Sequence, residues 1–167
     1  MIDSPMDPLV IETCLNGLHD LSGFGSIKLD ELRHGYAVFH FDASLEMRNV
    51  NGNVHGGFIM AVGDITAAAA ACSCGSRNVT LQGNFNFCKG IRVNGQRVLI
   101  EAKVVHEGRT TSVVELVFIN ETGDICVKAS FTTFSKGRIC PKNRCLTHEE
   151  SLDIAYGNFA EVGREPF

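Results

Sequence analysis

No stretch of this sequence is long and apolar enough to span a bilayer. A span needs roughly 18 or more uncharged apolar residues. The nearest approach, Phe58 to Cys74, is shorter and carries Asp64. The opening Met1-Ile2-Asp3-Ser4-Pro5 has no basic region followed by an apolar one, so no secretory leader is expected. Positive charge is scarce: 15 Lys and Arg stand against 19 Asp and Glu, for a net charge of −4. That argues against nucleic-acid binding as the primary role, while leaving room for a local basic patch. The cysteines lack a framework pattern. Seven is an odd number, and without a leader it predicts free thiols in a reducing, cytoplasmic compartment, with the mitochondrion as the alternative. Cys72-Ser73-Cys74 and the Cys140 to Cys145 pair with His148 do not match zinc-finger spacing, so no metal site is expected. There is no internal repeat and no low-complexity linker. One domain over residues 1–167 is expected, and this length suffices for a real core.

What is present reads as an α+β chain. Apolar content is 44% and charged content 20%, ordinary for a globular protein. Asp7-Pro8 opens a helix over about 8–22, with Ile11, Cys14, Leu15, Leu18 and Leu21 at helical spacing. From Ser26 the period falls to two, which predicts strands around Ile27 to Leu32 and Tyr36 to Asp42, joined at Arg33-His34-Gly35. A long helix follows from about Gly56 to about Ser73, with five alanines at Ala67 to Ala71 and Gly75 as its C-cap. Four further strands are predicted over Val79–Phe87, Val98–His106, Thr110–Ile119 and Ile125–Phe134. The last three are short-linked and so antiparallel. Beyond Ser135 the pattern dissolves into a C-terminal extension, 136–167. Thr147-His148-Glu149-Glu150 resembles a capping box there. One helix against one antiparallel sheet is a two-layer arrangement.

The chemistry concentrates in Asn49-Val50-Asn51-Gly52-Asn53-Val54-His55-Gly56-Gly57 and the helix it opens. A helix start carries unpaired N–H groups and a positive dipole end. Gly56 and Gly57 leave those groups unscreened, as an oxyanion hole requires. Asn49 can add a side-chain donor. Asp64 stands alone among apolar neighbours and can serve as a general base or nucleophile. Gly63, a poor helix former directly before it, predicts a very close packing partner, a helix of a second chain or the substrate. Gly56 and Asp64 are eight residues apart, so about 12 Å separates their Cα atoms along the axis. One small reacting group cannot touch both, and a two-fold dimer would supply each site from two chains.

Asn49, Gly52, His55-Gly56-Gly57 and Asp64 at these spacings resemble the active-site stretch of the hotdog-fold acyl-CoA thioesterases. The branch resembled is the phenylacetate-pathway group with thioesterase superfamily member 2. The resemblance covers about 26–135. It implies a five- to six-stranded antiparallel sheet wrapped around one long helix, a homodimer or dimer of dimers, and a site at the dimer interface. It implies an acyl-CoA substrate, with no cofactor. Asp64 takes the place of the family acid and Gly56 that of the oxyanion-hole backbone. His55 orients the loop, Asn49 lies near the thioester, and Thr80 helps hold the water. Gly57 and Arg109, the latter in the Gly108-Arg109 turn, fall at substrate-binding positions. Lys89, Arg92, Arg97 and Lys103 are further candidates for a basic rim, and a solvated charged face explains most of them. The competing readings are a hotdog hydratase or dehydratase and a non-catalytic acyl-CoA-binding module.

Overall fold

The computed structural model describes Val10 and residues 24–139. Val10 is helical and buried, at 3% exposure. The rest of the expected N-terminal helix, and the C-terminal extension from Cys140 onward with its capping box and its cysteine pair, lie outside the described residues.

The short strand β1 (Lys28–Arg33) turns at His34-Gly35 into β2 (Tyr36–Asp42). Gly35 takes φ +66°, a left-handed conformation that costs glycine little. After a single 3-10 turn at Leu45–Met47 and an irregular loop comes the helix α1 (Gly56–Cys72). Four long strands follow: β3 (Ser76–Phe87), β4 (Arg97–Glu107), β5 (Thr111–Asn120) and β6 (Ile125–Arg138). All six strands form one antiparallel sheet in the order β1-β2-β4-β5-β6-β3.

β6 runs four residues past the expected end at Phe134. The reason is pairing: Ser76 and Arg77 at the start of β3 face Arg138 and Gly137, so the ladder continues where side-chain alternation has ceased. Gly137, at φ +119°, absorbs the irregularity.

α1 is apolar on nearly every side, as a helix inside a protein should be. Ile59, Val62, Gly63, Thr66, Ala67 and Ala70 form its buried face. They pack on Phe39, Phe41, Ile100, Leu116 and Phe118, all buried in the concave face of the sheet. The alanines let helix and sheet approach closely. Thr66 is buried without penalty, because its hydroxyl donates to Val62 O at 2.8 Å. No helix among the described residues is long and apolar enough to cross a membrane.

Two features aim the helix. Gly63 is small because Phe85 of β3 lies against it: a Cβ there would sit 3.0 Å from the ring. The close partner that Gly63 predicts therefore belongs to the same chain. Phe85 in turn meets Phe131 edge-on at 5.3 Å. At the other end Gly75, at φ +86°, closes α1 with its N–H on Cys72 O at 2.8 Å and turns the chain into β3.

Candidate active site

The loop before α1 is held from inside. Asn49 Oδ1 accepts the N–H groups of Asn51 (2.9 Å) and Asn53 (3.1 Å), and Asn49 N–H donates to Asn53 O at 2.7 Å. Gly52 N–H donates back to Asn49 O, and Gly52 adopts φ +77° to close the turn. The oxygen of the Asn49 amide is thus spent on the loop. Its NH2 group makes no hydrogen bond among the described residues. Arg92 lies over this loop: its guanidinium is 3.9 Å from the position of a Cβ on Gly52, and Arg92 bridges Asn53.

His55 caps the helix. Its backbone is extended (φ −63°, ψ 133°), and its Nδ1 accepts the Gly57 N–H at 2.9 Å. A nitrogen that accepts carries no proton, so this contact places the ring proton on Nε2. His55 N–H is itself fixed on Met47 O at 2.7 Å. Gly57 is glycine for a local reason: a Cβ would stand 3.1 Å from that Nδ1 and displace it. Ile59 N–H is taken by His55 O at 3.1 Å. The expectation that both glycine N–H groups stay open needs correcting. Gly57 N–H is occupied by the imidazole, and Gly56 N–H makes no hydrogen bond among the described residues. Phe87, at the end of β3, lies beside Gly56 at ordinary contact distance.

Asp64 lies two turns along α1, exposed, on the stripe it shares with Gly57 and Met60. Thr80 of β3, also exposed, donates its hydroxyl to Asp64 Oδ1 at 2.6 Å. The carboxylate is thereby held in one orientation, with its second oxygen left for another partner. Asp64 and Thr80 come together; Asp64 and Gly56 share one rigid helix and stay apart by its rise. Arg109 sits in the β4–β5 turn and shares no described contact with Asp64, His55 or Gly56. Two of the basic candidates are already paired. Lys89 binds Asp124 at 2.5 Å, and Arg97 binds Asp42 at 3.1 Å. The role of His55 as a cap is one that residue type alone does not signal, since helix caps favour Ser, Thr, Asp and Asn.

One long helix enclosed by a six-stranded antiparallel sheet in this order, with a polar glycine loop at the helix start, is the hotdog fold. The chain belongs to the thioesterase superfamily, whose description matches residues 51–127. A protein of Saccharolobus solfataricus bearing a provisional esterase name is 31% identical over 126 residues, covering 74% of this chain and 89% of that protein. A hypothetical thioesterase of Streptococcus pneumoniae, solved with coenzyme A, superposes with a TM-score of 0.70 at 29% identity, over 74% of this chain and 98% of its own. That thioesterase has also been solved as two variants, in which a threonine and an aspartate were each replaced by alanine. A Streptococcus mutans protein bound to acetyl CoA gives 0.67 at 30% identity, over 72% and 97%. PaaI of Escherichia coli and thioesterase superfamily member 2 of zebra fish share the fold, at 18% and 19% identity and TM-scores of 0.71 and 0.68. Their coverage is 80% and 74% of this chain and 97% and 94% of their own.

Proposed function

We propose that the protein hydrolyses the thioester of an acyl-CoA, with Asp64 as the catalytic carboxylate and Gly56 N–H as the donor to the carbonyl oxygen. The observation that carries this reading is the 2.6 Å bond from Thr80 to Asp64 on an exposed face of a helix whose first N–H, two turns away, is open. A structural acid on a helix surface gains only the modest stability of one hydrogen bond from such a threonine. A carboxylate that must present one oxygen to a water or a carbonyl carbon gains its orientation as well. The pneumococcal thioesterase variants add support: the replaced aspartate and threonine stand sixteen positions apart in that chain, the spacing of Asp64 and Thr80 here. The coenzyme A and acetyl CoA found with the two streptococcal relatives point to the same ligand class.

The chemistry divides between two chains. Gly56 N–H polarises the thioester carbonyl, and its positive helix end stabilises the charge that grows on oxygen. Asp64 of a second copy either takes a proton from water as that water attacks, or attacks the carbonyl carbon itself and is freed by water afterwards. CoA leaves as the thiolate and takes up a proton, from the protonated Asp64 in the first route and from water in the second. Thr80 keeps the carboxylate aimed. His55 holds the loop through Gly57, and Asn49 holds it from within while offering its amide NH2 to the substrate. The copies meet along β3, whose Val79, Leu81 and Phe87 are 41%, 60% and 49% exposed and whose Thr80 meets Asp64. Pairs of such dimers are compatible with the same interface. Arg92, poised over the loop, is the basic group best placed for a CoA phosphate.

Two substitutions test the assignment without disturbing the fold. Asp64→Asn keeps shape and removes the base. Gly56→Pro removes one N–H and puts a ring in its place, with the Cβ at ordinary contact distance from Phe87. Proline suits the first helical position, and His55 already has the extended backbone a following proline requires. Both should lose turnover on a panel of straight-chain and aryl acyl-CoAs, followed by thioester absorbance. A thiol-trapping dye is unsuitable, because seven cysteines compete for it. Near-normal turnover in either variant would refute the assigned role. Tight CoA binding with no hydrolysis of any acyl group would favour a binding module instead.

A further inference from the structure

At the opposite end of α1, three side chains of metal-ligating type converge. His34 comes from the β1–β2 turn, Cys74 from the turn after α1, and Glu107 from the end of β4. Their ligand atoms all lie within 4.8 Å of one another, and His34 Nε2 is 3.0 Å from Glu107 Oε2. By the helix rise alone, Cys74 is about 15 Å from Asp64, so this cluster is separate from the site above.

We propose that His34, Cys74 and Glu107 form a site for a zinc-class divalent cation. The donor set fits a borderline-soft ion: one thiolate, one imidazole and one carboxylate, with the fourth tetrahedral position left for water. Zinc–ligand bonds of about 2.0–2.3 Å put neighbouring ligand atoms roughly 3.3–3.8 Å apart, so side-chain shifts of about 1 Å close the set around an ion. A cavity of about 320 Å³ opens beside the cluster, lined by His34 and Glu107 but not by Cys74, and it gives a coordinated water access from the His34–Glu107 side.

The backbone beneath the cluster is already tied together. Gly35 N–H donates to Ser73 Oγ at 2.8 Å, and Arg33 O lies 2.9 Å from the same hydroxyl, which pins the turn bearing His34 to the end of α1. Val104 N–H donates to Gly35 O at 2.7 Å, which pins that turn to β4. Cys74 Sγ lies 3.9 Å from Ala70 O. Gly35 leaves the sulfur uncovered, since a Cβ there would stand 3.8 Å from it. Three ligand-bearing segments held by their own hydrogen bonds is the support a metal site needs. Without an ion, the thiol is disfavoured as an anion. Burial first, and Glu107 second, push it up to about 12. Coordination releases the thiol proton to solvent and leaves sulfur bound to the cation, with no change of oxidation state.

The test uses the full chain. Zinc(II) binding is measured against a competing chelator, and cobalt(II) is added in its place for spectroscopy. One ion per chain should bind, with a sulfur-to-cobalt charge-transfer band and a rise in melting temperature. Cys74→Ala should abolish the band. His34→Ala and Glu107→Gln should weaken binding by at least the roughly 10- to 100-fold that losing an outer-shell partner costs. A Cys140→Ser, Cys145→Ser double variant controls for the other cysteine pair and should bind as the wild type does. Absence of zinc binding at micromolar concentrations overturns the proposal. So does a cobalt–sulfur band that survives in Cys74→Ala, or one that vanishes in the double variant.

Discussion

The sheet has two edges, and they are built on opposite plans. The β1 edge is six residues long, carries Lys28, Asp30, Glu31 and Arg33, and breaks its register with β2 between Leu29 and Glu31. Short length, charge and a bulge are the features that keep an edge from pairing with another chain. The β3 edge is twelve residues long, with Arg77 its one charged residue. Only Ser76, Asn78 and Phe85 are half-buried; the other nine are exposed, among them Val79, Leu81 and Phe87. Among the described residues one edge is blunted and the other is left open, and Thr80 and Asp64 lie on the open side. An unpaired edge of that length and character is a liability unless something covers it. In the proposed reading, a second copy would cover it and complete the divided site in one step.

The difference between the edges can be broken experimentally, and the largest effect belongs to the chemistry on the open side. Gly56→Pro should lower turnover by about 10²- to 10³-fold and Asp64→Asn by about 10²- to 10⁴-fold, the ranges for loss of one oxyanion donor and of a general base. Their melting temperatures should stay at the wild-type value, as thermal unfolding would check. Next comes the edge itself. Val79→Lys combined with Leu81→Lys gives β3 the charge that β1 has. Sedimentation should then show single chains where the wild type associates, with turnover falling in parallel, whereas Lys28→Leu on the β1 edge should change neither.

A smaller effect is expected where β3 grips the helix. Gly63→Ala gains up to about 1 kcal/mol in helix propensity. It also forces the Phe85 ring, 3.0 Å from the new carbon, to move, at about 1–3 kcal/mol for overpacking. Overpacking wins, and denaturant titration should report a net loss near 1 kcal/mol. The smallest effect lies at the foot of the open edge. Asp124 is held down to about 2, first by the bond from Lys89 and then by Thr122 and Asn120. A carboxyl lowered on folding stabilises the fold above its ordinary 3.8, and that contribution fades as pH falls towards about 2. Lys89→Met should move the Asp124 titration upward by NMR and slightly weaken the acid resistance of the fold.

Much of this was legible in the residues. The strand periods, the turn glycines and the one long apolar helix reported the elements closely, because each is a local property of a short segment. The place of Asp64 on that helix, eight residues from Gly56, was readable for the same reason. The order of strands was not. That β3 crosses to the far edge beside β6, while β2 pairs with β4, is decided by pairings between segments far apart in the chain. Gly63 announced a close neighbour but could not identify Phe85. His34, Cys74 and Glu107 come from two turns and the end of a strand, and no spacing rule links them. The occupancy of Gly57 N–H by His55 was hidden too, since it depends on one ring orientation.

The eight residues between Gly56 and Asp64 have a genetic consequence. If each site takes its helix start from one chain and its carboxylate from the other, two inactive proteins can repair one another. An Asp64→Asn chain still offers a sound helix start, and a Gly56→Pro chain still offers a sound carboxylate. Mixed in equal amounts and allowed to exchange, half of the pairs would be hybrids with one intact site of two, returning about a quarter of the wild-type activity from parents that have almost none.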